Sequence, residues 1–213
     1  MQSGVFSVMT ALQLILISNQ FIARKRQGRN IQRQGGSTLM ARAISALIAK
    51  RKRNSQMMMK TAAFSPDRKF RYALWRIWDE SKPVCMFVGL NPSTANEYVD
   101  DPTIRRCESF AGNWGYGGLC MTNLFAYVST DPHALWGIEA IGIDNNLWLS
   151  YLAAHSGVVV ACWGDFSVAR DRNEQVQKLI PNLYCLGTTK HGRPKHPLYL
   201  PRETKLREYH NDN

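Results

Sequence analysis

The chain has 213 residues, with 27 Lys/Arg against 16 Asp/Glu and a formal net charge of +11. That length is enough for one sizeable core or for a domain with an appendage. The charge excess invites a nucleic-acid reading, but it is local: residues 1–66 hold eleven Lys/Arg and no acid, which leaves sixteen of each sign in 67–213. The high isoelectric point therefore says nothing about the folded part. The five cysteines (Cys85, Cys107, Cys120, Cys162, Cys185) are scattered and form no CxxC pair. They read as buried free thiols in a reducing cytoplasm, without the spacing of a zinc or iron–sulfur site. No metal or cofactor is expected.

In chain order, "VFSVMTALQLILI" is apolar for about thirteen residues, too short for a membrane span. It has no basic residues before it and no clear small-residue cleavage site after it, so it is a poor signal peptide. The stretch "FIARKRQGRNIQRQGGSTLMARAISALIAKRKRN" is basic, Gln-rich and acid-free. We expect 1–66 to be an N-terminal extension, either disordered or an upstream stretch read from a misplaced start, with Met57-Met58-Met59 as alternative starts. A mitochondrial-type presequence has the same composition, and a basic arm binding nucleic acid is a further reading. Residues 67–213 form the single expected domain, a monomer in the cytoplasm.

Within it, "FRYALWRIWD" (70–79) alternates apolar and polar residues, which predicts a half-buried strand near a sheet edge. "VCMFVGL" (84–90) is a continuous apolar run, the pattern of a central parallel strand. Asp101 and Pro102 are an N-cap and first-turn pair opening a helix over 102–114. Strands follow at 119–125, 158–164 and 183–187, with helices near 144–155 and 166–180. This alternation predicts a three-layer α/β/α sandwich on a mostly parallel sheet. Ligands of such sheets bind beyond the carboxyl ends of the strands.

The polar chemistry sits at those ends. Gly89 admits a close approach and Pro92 fixes the turn, so Asn91 is placed to orient a water or touch a base; ordinary turn chemistry is the rival. Asp100 and Asp101 divide between capping and a role as general base or cation ligand, with Asp101 the better cap. Asn123 ends its strand with a donor and an acceptor that suit a pyrimidine edge, or it ties down the next loop. Phe125 and Tyr127 follow as stacking candidates or core residues. The last loop, Lys190 to Leu198, is either a solvated basic loop or a rigid turn. In the second case His196 steadies a leaving group while Lys190, Arg193 and Lys195 touch phosphates.

Residues 70–207 resemble the bacterial and phage family called domain of unknown function 1643, through "RYALWRIWD", "GLNPSTANEYVDDPTIRRC", "WGYGGL", "NLFAY", "VVVACWG" and "GRPKHPLYLP". That resemblance implies no activity. A second one is to the uracil-DNA glycosylase superfamily, carried by Gly89–Ser93, Thr122-Asn123, Val158–Gly164 and His196-Pro197. It implies that Asn91 positions the attacking water, Asn123 reads the flipped base and His196 supports the charge developing on it. Where the superfamily has a base-stacking aromatic at the first helix, this chain has Pro102-Thr103-Ile104, with Tyr98 as the substitute. The usual Ser after His-Pro is also missing.

The expected function is excision of uracil or a modified pyrimidine from DNA by a metal-independent N-glycosylase, a hydrolase of DNA repair. The alternative is a non-catalytic nucleotide- or nucleic-acid-binding protein on the same fold. The expected catalytic residues are Asn91, His196 and Asp100. The base would lie against Gly89, Pro92, Asn123, Phe125 and Tyr98, and phosphates against Ser93, Lys190, Arg193 and Lys195. The partner is DNA or a nucleotide, with no membrane.

Overall fold

The computed structural model describes residues 58–209 apart from Gly137; the expectations for residues 1–57 lie outside the described residues. The apolar runs at 84–89, 118–123 and 158–161 form strands, and the stretch capped by Asp101 forms a helix. In chain order these are β1 (Met59–Phe64), β2 (Arg71–Ile77), β3 (Val84–Gly89), α1 (Pro102–Asn113), β4 (Gly118–Asn123), α2 (Asn145–Ala154), β5 (Val158–Ala161), α3 (Arg170–Leu179), β6 (Tyr184–Cys185) and β7 (Arg207–Glu208). All seven strands join one sheet in the order β1-β2-β4-β3-β5-β6-β7.

The sheet is mixed, which corrects the mostly parallel expectation. Only β4–β3, β3–β5 and β5–β6 pair in parallel. The β1–β2, β2–β4 and β6–β7 pairs are antiparallel. A connection as short as residues 65–70 can return a strand only antiparallel, whereas the parallel pairs are crossovers that carry a helix. The α/β class therefore holds, with a parallel centre and antiparallel flanks.

Two further boundaries move. The expected division after residue 66 falls earlier, because Met59–Phe64 is a sheet strand and the compact unit that holds the sheet begins at Met59. That strand lies outside β2, so β2 is not at the sheet edge and all seven of its residues are buried. Arg71 and Arg76 made the stretch look half solvated, but both point inward. A bulge explains how two arginines five positions apart reach the same side. Ala63 pairs with Ala73 while Phe64 pairs with Arg71, so Tyr72 is the extra residue and the alternation of side chains shifts phase there.

The two faces of the sheet carry different layers. Leu74, Cys85, Phe87, Leu119, Met121 and Val160 pack with Ile104, Cys107, Phe110 and Ala111 of α1. On the opposite face Trp148 of α2 stacks on Tyr72 at 6.0 Å and meets Trp75 at 6.1 Å. The five cysteines are free and buried, and burial pushes the thiols of Cys85, Cys107, Cys120 and Cys185 above their ordinary range. Among the described residues no helix is long and apolar enough to cross a membrane.

Candidate functional site

The parallel register brings the conspicuous strand ends together. Gly89, the last residue of β3, is paired with Asn123, the last of β4. The two chains continue side by side, with Leu124 N–H donating to Gly89 O and Phe125 N–H to Leu90 O. Asn123 continues the row of Leu119 and Met121 that faces α1. Its side chain lies over Gly89: a Cβ at position 89 would stand 2.9 Å from Asn123 Oδ1. Glycine is therefore needed here for space. Asn123 is 2 % exposed, and its Nδ2 is buried without a hydrogen-bond partner. A buried orphan donor costs about 1–3 kcal/mol. The backbone around it is pinned from the other face. Asn145 Nδ2 donates to the carbonyls of Asn123 (3.1 Å) and Leu124 (2.9 Å), and Arg172 Nε donates to Leu124 O at 2.9 Å. Burial lowers the Arg172 guanidinium to a pKa of about 10.

Asn91 is locked in one orientation. Its Nδ2 donates to Pro92 O at 3.0 Å and Ser129 O at 2.7 Å, so its Oδ1 remains as the acceptor. Ser129 N–H returns a bond to Pro92 O at 2.9 Å, which closes the turn against the β4 side. Pro92 is buried and Ser93 is half-buried beside it.

His196 reaches the same edge from the last loop. Gly164 follows β5, and its N–H donates to Pro194 O at 3.0 Å. With φ of 80°, Gly164 lies in the left-handed region, and a Cβ there would meet His196 Cβ at 3.8 Å. Burial pushes the His196 pKa down, opposed by the charge of Asp101. Its Nδ1 accepts from Leu198 N–H at 3.4 Å. The neutral ring then carries its proton on Nε2, as a donor.

Asp100 and Asp101 have separate jobs. Asp101 Oδ1 accepts from Ile104 N–H at 2.8 Å and caps α1. Asp100 receives Arg76 Nε at 2.6 Å on Oδ1 and Lys60 on Oδ2. Burial raises the Asp100 pKa, but the bonds from Lys60 and Arg76 outweigh it and hold the carboxyl below its ordinary value. Both oxygens thus hold cations, which differs from the general-base reading. Arg76 also donates to Trp75 O (2.8 Å) and Asn96 O (2.6 Å), so it anchors the whole 95–100 loop to β2.

The remaining expected contacts divide. Phe125 is 4 % exposed and serves the core, while Tyr98 is 84 % exposed on the 95–100 loop. Lys190 and Lys195 are exposed. Arg193 is turned inward, with Nη1 buried and unpartnered. Next to it Asp165 accepts from His191 Nδ1 at 2.7 Å and Thr189 Oγ1 at 3.0 Å.

Sequence reasoning missed Arg71, Asn145 and Arg172. Arg71 is 2 % exposed, donates to Ala95 O at 2.5 Å and has its Nε unpartnered. Burial lowers its pKa to about 10, with Asp101 opposing. Two arginines, Arg71 and Arg76, in an otherwise apolar strand were the available signal. Asn145 lies in the first turn of a helix, with no local pattern to set it apart.

A mixed sheet whose carboxyl edge gathers amide groups from strand ends and an imidazole from the last loop, with buried guanidinium groups nearby, defines an α/β domain with a polar site at that edge. The chain belongs to the family described as protein of unknown function (DUF1643), whose model matches residues 71–198. That span runs from Arg71 to Leu198 and so includes every strand end of the site. No curated protein and no solved structure matches the chain. Among the described residues no group of three or more His, Cys, Asp or Glu side chains is placed to hold a metal ion.

Proposed function

We propose that the strand-end site takes a flipped pyrimidine and that the protein is a DNA N-glycosylase of the uracil-DNA glycosylase-like type. The observation that carries this reading is the buried, unpartnered Nδ2 of Asn123 held over Gly89. A carbonyl oxygen of the base supplies the missing acceptor, and Asn123 Oδ1 accepts the neighbouring ring N–H. Asn91, with its amide nitrogen tied to two carbonyls, offers Oδ1 to one proton of a water and aims that water at C1′. The C1′–N1 bond breaks with its electron pair leaving on the base. His196 Nε2–H hydrogen-bonds the oxygen on which that charge gathers. The water oxygen then joins C1′ and releases its proton to solvent, and the base takes up a proton. Asn91 is no strong base, so this chemistry depends on bond breaking running ahead of water attack.

A second reading is favoured by Asp100. Its oxygens are held by Arg76 and Lys60, so it activates no water, and the same site would then bind a nucleotide without cleaving it. The deciding experiment is alkaline strand cleavage of oligonucleotides carrying uracil, hydroxymethyluracil or other altered pyrimidines. We expect release of one such base, and roughly a hundredfold or greater loss in Asn91→Ala and His196→Ala. If the wild-type protein leaves every substrate intact, the binding reading replaces the catalytic one. If both variants cut as the wild type does, these residues are not the catalytic ones.

A further inference from the structure

We propose that the rim of this site, Phe166 and Tyr199 with Lys190 and Lys195, is a stacking platform for single-stranded DNA. The inference rests on the reading of the site as one for a nucleobase, and it adds the form in which that base is presented.

Two aromatic rings stand out of the surface on separate loops. Phe166, just after β5, is 43 % exposed, and Tyr199, just after His196, is 85 % exposed. Both border the same few atoms. A Cβ at Gly164 would lie 3.3 Å from Phe166 Cε2 and 3.8 Å from His196 Cβ. The rings of His196 and Tyr199 are 5.9 Å apart and inclined by 51°. The order Phe166, Gly164, His196, Tyr199 is therefore contiguous, with the histidine between two exposed aromatic rings. A ring left in water at such a place offers a π face for a base, and every base has one to give.

The charge nearby fits a phosphate backbone. Lys190 and Lys195 are exposed on the loop that leads into His196, and neither forms an ion pair among the described residues. Asp165, which contacts the same loop, is occupied by His191 and Thr189. Lys195 is tied to the turn by its N–H to Gly187 O at 2.9 Å, so its position follows the same turn that carries His196. Exposed aromatic rings beside unpaired cations at one rim are the recognition chemistry of single strands. In a duplex the base faces are already stacked on each other and unavailable.

The test uses the full chain and labelled oligonucleotides of one sequence, as a single strand and as a hairpin duplex, in fluorescence anisotropy at physiological salt. A 2-aminopurine beside the target pyrimidine reports stacking by quenching. We expect the wild type to prefer the single strand. Phe166→Ala and Tyr199→Ala should each lose roughly 5- to 100-fold in affinity for it. Duplex affinity should stay unchanged, and the quench should disappear with the rings. Phe166→Leu keeps apolar bulk without the ring and should lose affinity as the alanine variant does; binding restored by leucine would overturn the stacking role. Equal wild-type affinity for both forms, or unchanged single-strand affinity in the double ring variant, would also overturn it. Base release is scored separately. If no base is released but ring-dependent single-strand binding holds, the catalytic reading fails and the rim stands. If a base is released and the ring variants bind normally, the rim proposal fails alone.

Discussion

The Asp100→Asn substitution separates a structural carboxylate from a catalytic one. In the wild type the Arg76 side chain is fully buried and places its Nε 2.6 Å from Asp100 Oδ1, while Asp100 keeps 15 % of its side chain exposed. Breaking a buried pair outright costs about 3–5 kcal/mol. Asparagine keeps a neutral acceptor for Arg76, so the cost falls to about 1.5–3 kcal/mol, the range of a hydrogen bond to a charged group. The contact with Lys60, whose side chain is 35 % exposed, adds little because solvent screens it. At about 2–4 °C per kcal/mol for a domain of this size, Tm should drop by about 3–12 °C. The pH dependence has a defined sign. The folded-state pKa of Asp100 lies below its ordinary value, so its stabilisation is present above the unfolded pKa, near 3.9. It is lost as pH falls through the folded value, so the gap between wild type and variant should close in acid. The assay is thermal unfolding by circular dichroism across pH, with base release measured well below the melting range. An Asp100→Asn protein that melts like the wild type but releases no base would refute this reasoning and restore Asp100 as a catalytic group.

Two other outcomes follow from the same geometry. Gly89→Ala forces a Cβ to within 2.9 Å of Asn123 Oδ1 and should cost about 1–3 kcal/mol in denaturant unfolding. In an Asn123→Ala background most of that penalty should vanish, and an unchanged penalty would show that the Gly89–Asn123 contact is not the cause. A chain beginning at Pro66 lacks β1 and the Lys60 contact to Asp100, and it exposes the open edge of β2. It should melt more than about 10 °C below a chain beginning at Met59, as scanning calorimetry would record; equal melting would mean that β1 does not stabilise the sheet.

The linear sequence determined the central elements because their signals are local. The continuous apolar runs at 84–89 and 158–161 are too short for helices and read as buried strands, and Asp101-Pro102 sets the start of α1 by a cap that needs no tertiary partner. It also placed Gly89, Asn91, Asn123 and His196 at strand or loop ends, since polar residues behind apolar runs are visible as such. Other features depended on contacts distant in sequence. β1 lies in a basic, acid-free stretch with nothing strand-like about it, and it is a strand only because β2 offers an edge to pair with. The direction of each strand pair is likewise set by which neighbours meet. Asp100 read as a cap, a general base or a cation ligand until the fold set Arg76 and Lys60 against its two oxygens. Phe125, chosen for its ring, is consumed by the core, while Phe166 and Tyr199, with no pattern to mark them, stand in solvent beside His196. Burial and partnership are properties of the folded neighbourhood, and for a polar or aromatic side chain they decide whether it supports the fold or remains free for a ligand.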